Sequence, residues 1–199
     1  DEHQSYEHSE MPGTQAFSTA AWRRWSSKLD QVVTDDGATM DFYGEDHPEE
    51  DHRVLVDGAL MSLTDDDFIP MLTPAIERIN VEGCENLSGA AMAAIASTCP
   101  RLTELNLRGH WQLDPQAIAA VAENCPLTQL NVSYISMTYA ALQAIANACP
   151  KLATLNVCHC FLGDESVAAV ARQCLTDLNV QKCIWLTDAA VNAVAANCP

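Results

Sequence analysis

The sequence predicts an α/β solenoid, with short parallel strands inside and helices outside, wound right-handed, in about five full repeats preceded by a partial one. Three observations predict it. Cysteines recur at 99, 125, 149, 174 and 198, spaced by 26, 24, 25 and 24 residues, and four of the five precede proline. Upstream of each stands the same apolar alternation: IERINVEGC from Ile76, LTELNLRGH from Leu102, LTQLNVSYI from Leu127, LATLNVCHC from Leu152 and LTDLNVQKC from Leu175. Between alternation and cysteine lies an alanine-rich stretch with apolar residues three apart. A strand plus helix of about 25 residues cannot cover its own apolar face, so neighbouring units must stack.

In chain order, residues 1–15 form a polar tail and 16–53 an amphipathic helix with an acidic linker. Trp22, Trp25, Leu29 and Val32 fall at helical spacing, with Arg23, Arg24 and Lys28 on a basic face. This helix either folds back to cover the first repeat or docks on a partner's acidic groove or a membrane surface, through Trp22, Arg23, Arg24, Trp25, Lys28 and Leu29. Residues 54–74 read as a partial, capping repeat, with a strand from Val54 to Leu60. Thr64 then caps a short helix whose first turn holds Asp65, Asp66 and Asp67, where the helix dipole favours negative charge. An EF-hand glycine and ligand spacing are missing, so this acidic run is structural rather than a calcium site.

From residue 75 to 199 the repeats follow. In each alternation the first, fourth and sixth residues are apolar, and the last two of these mark a strand. A cap comes next, clearest in Asp114-Pro115 and also read at Ser88 and at Thr187 with Asp188. The helices place Met92 and Ile95, Ile118 and Val121, Leu142 and Ile145, Val167 and Val170, and Val191 and Val194 three apart, with the repeat cysteine four residues on. Proline then stops each helix. After strand 175–180 and helix 188–197 comes no polar capping repeat, which leaves an apolar flank for further chain or for a partner.

The third, fifth and seventh residues of each alternation face outward, onto the concave side. They are Arg78, Asn80, Glu82; Glu104, Asn106, Arg108; Gln129, Asn131, Ser133; Thr154, Asn156, Cys158; and Asp177, Asn179, Gln181. The fifth is always asparagine. Strands about 4.8 Å apart align these amides into a ladder, which either braces the sheet or offers donors and acceptors to a partner. The mixed charges of Arg78, Glu82, Glu104 and Arg108 mark the N-terminal half as the candidate hot region.

Nine cysteines suggest disulfides, but repeat-equivalent ones sit on helices about 8–10 Å apart, beyond bridging reach. They read as free, buried thiols of a reducing compartment. The ninth position holds Cys84, His110, Ile135, Cys160 and Cys183, and a site that accepts isoleucine needs volume rather than ligation. Neither Cys158-His159-Cys160 nor His47, Glu49, Glu50, Asp51 and His52 has metal-site spacing. No metal and no cofactor is expected. With 27 acidic against 10 basic residues the net charge is -17, which excludes a nucleic-acid partner. No Gly-rich phosphate loop, G-x-S-x-G or H-E-x-x-H occurs, so neither catalysis nor a small-molecule substrate is expected.

The five units resemble the cysteine-containing leucine-rich repeats found behind F-boxes in ubiquitin-ligase receptors, and STAAWRRW resembles the tail of an F-box. The Leu-Pro-x-Glu opening of that domain is missing. The Trp-bearing helix, acidic stretch and cysteine repeats together are also similar to the mitochondrial coupling factor B family, ATP synthase subunit s. These resemblances imply a non-catalytic protein-interaction scaffold. It is expected as an accessory subunit of an intracellular hetero-complex, with the mitochondrion placed ahead of cytosol or nucleus. The alternative they imply is the substrate-recognition module of an F-box-type ubiquitin ligase receptor.

Overall fold

Alternating apolar residues over so short a span leave room for three-residue strands and no more. The computed structural model describes residues 39–41, 63–171 and 175–198. Its strands are β1 (Thr39–Asp41), β2 (Arg78–Asn80), β3 (Glu104–Asn106), β4 (Gln129–Asn131), β5 (Thr154–Asn156) and β6 (Asp177–Asn179). They form one parallel sheet in sequence order, in register, so that Ile79, Leu105, Leu130, Leu155 and Leu178 lie side by side. After the short α1 (Asp65–Phe68), the helices α2 (Gly89–Thr98), α3 (Pro115–Asn124), α4 (Tyr139–Ala148), α5 (Asp164–Val170) and α6 (Asp188–Asn197) connect them, each against the next. This is the α/β solenoid of stacked strand–helix units predicted from the periodicity.

Counted from Ile76, Leu102, Leu127 and Leu152, the first, fourth and sixth side chains of each of these units are buried, as are the two apolar residues three apart on the following helix. Burying a Leu or Ile in this way contributes about 1.5–3 kcal/mol relative to leaving it exposed. The caps form as read: Ser88, Asp114 and Thr187 accept from the N–H groups of Ala90, Gln116 and Ala189. Thr138 does the same for Ala141, while α5 begins at Gly163 without a side-chain cap. Acidic residues also lock one cap to the next. Asp65 accepts from the N–H and hydroxyl of Ser88, and Asp164 from those of Thr187, at 2.8 and 2.6 Å. The Thr187 hydroxyl holds the Asp164 carboxyl below its ordinary range.

At the N-terminal end α1 carries its acidic first turn, and Thr64 with Asp67 forms a capping box. The first strand needs correcting. The edge of β2 that a strand from Val54 to Leu60 was expected to fill is taken by Thr39–Asp41, with Met40 opposite Ile79. Residues 54–60 lie outside the described residues. A three-residue edge strand needs little beyond backbone complementarity, so Thr-Met-Asp can serve where Val-Leu-Val has the higher strand propensity.

Of the eight described cysteines, seven are buried free thiols and Cys198 is half-buried. Their sulfurs do more than occupy volume. Cys125 Sγ donates to the Cys99 carbonyl, Cys149 Sγ to that of Ala122, and Cys198 Sγ to that of Ala171, all in the preceding unit at 3.3–3.4 Å. At the ninth position Cys160 and Cys183 donate to Val132 and Val157, the sixth residues of the units before them. Ile135 cannot make the equivalent bond to Leu107; there His110 Nδ1, from Leu107's own unit, lies 2.9 Å from that oxygen. His110 Nε2 is buried with no partner among the described residues.

Candidate interaction surface

The outward face of the sheet carries the residues that the alternation assigns to it. Arg78, Gln129 and Asp177 are exposed, Glu104 and Thr154 half-exposed, and all five asparagines half-exposed. Of the seventh residues, Glu82 and Arg108 are half-exposed and Gln181 is exposed, but Ser133 and Cys158 are buried. Their burial removes those two from the accessible row.

The asparagines do not hold to the expected ladder. Each directs its Oδ1 to the backbone N–H two residues ahead: Glu82 from Asn80, Arg108 from Asn106, Ser133 from Asn131, Cys158 from Asn156 and Gln181 from Asn179, at 3.0–3.2 Å. Asn131 accepts from the Ser133 hydroxyl as well. The amide thus closes a turn at the strand's end, satisfying an N–H the short ladder leaves over. What remains for a partner is chiefly the amino side of Asn131, Asn156 and Asn179, since the Asn106 amino group donates to Glu82.

The charges pair with one another. Arg78 Nε lies 3.1 Å from Glu104, and Arg108 Nη1 lies 3.3 Å from Glu82, whose other oxygen accepts from Asn106 Nδ2. Glu82 thus binds the first unit to the second. The Arg108 guanidinium in turn sits 5.4 Å from the centre of the Tyr134 ring, and that ring stacks on His159 with centroids 4.4 Å apart. A continuous run of side chains, Glu82, Arg108, Tyr134 and His159, crosses four units at the C-terminal ends of the strands.

That run depends on the backbone. The eighth position is left-handed in every unit, at Gly83, Gly109, Tyr134, His159 and Lys182. In the first four the N–H donates to the seventh carbonyl of the next unit, so the turns extend the ladder past the strands. Two or three residues on, the chain exposes large apolar side chains. Trp111, Phe161, Ile184 and Trp185 are 61–72% exposed. The reading by alternation missed this rim because it ended at the ninth residue. The signal was present, since the tenth positions read Glu85, Trp111, Ser136, Phe161 and Ile184, three of them large and apolar where solvent should favour polar ones.

Burial pushes the thiols of Cys84, Cys99 and Cys160 up to about 12 and that of Cys125 to about 11, and it lowers the His110 imidazole. Among the described residues no group of three or more His, Cys, Asp or Glu is placed to hold a metal ion, and no helix is long and apolar enough to cross a membrane. Trp22, Arg23, Arg24, Trp25, Lys28 and Leu29, expected on a helix, and the residues from His47 to His52 lie outside the described residues. No family model matches the chain, and no curated protein does. Among solved structures the chain is similar to one in the Rad7 and Elc1 complex in yeast, at 19% sequence identity and a TM-score of 0.47, over 68% of this chain and 44% of that one.

Proposed function

We propose that this protein is a non-catalytic interaction module that grips a protein partner along the outward face of its sheet and the rim beside it. It serves as an accessory subunit of a larger intracellular assembly. One observation carries the reading: four large apolar side chains, Trp111, Phe161, Ile184 and Trp185, stand exposed on turns that hydrogen bonds keep in step. The first three share the tenth position of their units, and exposed apolar residues that recur at one repeat position mark a binding surface more strongly than scattered ones. The sheet face beside them is polar and already neutralised within itself, which suits specificity rather than raw affinity. Free, buried thiols support a reducing compartment. The mitochondrion as that compartment rests on sequence resemblance alone, as does the alternative of substrate recognition within a ubiquitin-ligase receptor.

The test is native purification with identification of co-eluting proteins, comparing Trp111→Ala/Phe161→Ala, Glu104→Ala/Gln129→Ala and Trp22→Ala/Trp25→Ala. Each pair is checked for an unchanged circular dichroism spectrum. Loss of one defined partner with either of the first two pairs supports the reading. Retention with both, and loss only with the tryptophan pair at 22 and 25, moves docking to the N-terminal segment.

A further inference from the structure

The rim has a gap in its middle. Trp111 and Phe161 hold the tenth position of the second and fourth units and are 61% and 70% exposed; in the third unit that position is Ser136, also exposed. Tyr134 and Tyr139 of the same unit are exposed on either side of Ser136 in the chain. Two large apolar side chains thus flank a small polar one. Each of these three units is stacked between neighbours on both sides, so the exposure owes nothing to an open end of the sheet.

Stacking sets the spacing of these positions. Strands lie about 4.8 Å apart and packed helices about 8–10 Å. The turns between them are tied close to the strand value by the bonds from Gly109 to Ser133 and from Tyr134 to Cys158, which puts successive tenth positions about 5–6 Å apart. Trp111 and Phe161, two units apart, are therefore separated by about 10–12 Å. Two turns of α-helix rise about 10.8 Å and bring residue i+7 back to the face of residue i. On an extended segment same-face residues come at about 6.7 and 13 Å, out of step with the rim. Charge selects further. Between the left-handed residue and the first helical turn, the first four units carry Glu85, Asp114, Asp164 and Glu165 and neither lysine nor arginine. Arg101 and Lys151 follow the helices, at the opposite edge.

Resting on the rim as the binding surface, we infer that the partner segment it takes is an amphipathic α-helix with a basic flank, laid across the units. Apolar residues at i and i+7 pack on Trp111 and Phe161, and the one a turn between them sits over Ser136. Lysines or arginines on the flank face the acidic helix starts. Other occupants fit worse. A second copy brings the same acidic edge, and residues 42–62 carry six carboxylates against one arginine, so both are repelled. Arg23, Arg24 and Lys28 precede Thr39, and because β1 is parallel to β2 the chain enters it at the edge opposite the rim.

Fluorescence anisotropy on the full chain tests it. The probe is a labelled peptide of about 18 residues, five helical turns, built from Leu, Ala and Lys with Leu along one stripe and Lys beside it. One control carries Glu for every Lys; another keeps the composition but alternates Leu, so that only a strand gathers it on one face. The probe is expected to bind at least about tenfold tighter than either control. Ser136→Trp, which fills the gap on an exposed turn and leaves the circular dichroism unchanged, is expected to weaken it at least about tenfold. Glu85→Gln/Glu165→Gln lowers both the affinity and its dependence on salt. Equal binding of either control, or Ser136→Trp without effect, overturns the inference. Competition separates it from the reading on which it rests. If the co-eluting partner is lost with Trp111→Ala/Phe161→Ala but the probe does not displace it, the rim is the site and the helix is wrong. If the partner is retained with that pair, both fail. Tighter probe binding after Arg23→Glu/Lys28→Glu puts the chain's own N-terminal segment on the rim, and a dimer that Trp111→Ala dissociates puts a second copy there; either overturns the inference.

Discussion

The left-handed eighth position allows a quantitative test by exchanging residue types between repeats. Gly109 sits at φ 84° with nothing within 4 Å of where a Cβ would stand, so Gly109→Ala reports the backbone alone. A left-handed conformation costs a residue with a Cβ about 1–2 kcal/mol, and alanine recovers about 0.4–1 kcal/mol by restricting the unfolded chain. The net loss, taken between the midpoints of those ranges, is about 0.8 kcal/mol. Lys182, at φ 61° and exposed, runs the other way, and Lys182→Gly is expected to gain about the same amount. Tyr134→Gly enjoys the same backbone relief but forfeits the His159 stack, about 0.5–1.5 kcal/mol, and the Arg108 contact, about 0.5–1 kcal/mol, and so comes out destabilised.

Urea unfolding followed by circular dichroism gives all three, and each kcal/mol corresponds to roughly 2–4 °C of melting temperature in a chain of this size. The order expected is Lys182→Gly above the parent, with Gly109→Ala and Tyr134→Gly below it. A neutral Gly109→Ala, or a Lys182→Gly that loses stability, refutes the claim that the turns hold one left-handed conformation throughout.

Two further outcomes concern titration. Burial lowers the His110 imidazole below its ordinary 6.5, so the unfolded chain takes the proton first. Stability is complete above pH 6.5 and falls as the pH drops through it toward the folded value; His110→Leu flattens the dependence of the urea midpoint between pH 7.5 and 5. The thiols of Cys84, Cys99 and Cys160, raised to about 12, stay protonated in the folded chain, so a disulfide-exchange reagent at pH 8 labels them only at the rate of unfolding. Their contribution to stability is full below pH 9 and erodes as pH rises from there toward 12, because the unfolded thiols ionise first.

The repeat was legible because stacking forces periodicity onto every buried position, and Leu102, Leu105 and Leu107 announce the same packing as Leu127, Leu130 and Val132. Caps were legible for a local reason: Asp114-Pro115 can do little else at that point in a chain. The surface was less so. An asparagine amide has several partners within reach, and its inward turn at Asn80 through Asn179 is decided by N–H groups that exist only once the strand stops at three residues. The left-handed turns at Tyr134, His159 and Lys182 escaped because none is glycine, and the hydrogen bonds to the next unit that hold two of them there are not written locally. Val54–Leu60 misled for the converse reason, its strand propensity being stronger than that of the residues that occupy the edge.

The Cys-Pro pairs show most clearly how residue choice in one unit answers a need in another. The carbonyl of Ala122 would be bonded in a continuing helix by the N–H of residue 126, but residue 126 is proline and has none. Cys149 supplies the missing donor from the next unit, with Sγ 3.3 Å from that oxygen. If sulfur served only as volume, Cys149→Val would be nearly neutral, since apolar swaps that conserve volume cost under about 1.5 kcal/mol. If it serves as donor, Val leaves a buried carbonyl unpaired and costs about 1–3 kcal/mol. Cys149→Ser keeps the donor and loses mainly packing, so it should sit above Val in urea midpoint. A valine variant as stable as the parent, with serine below it, returns the cysteine to mere filling and leaves its recurrence before proline without a physical cause.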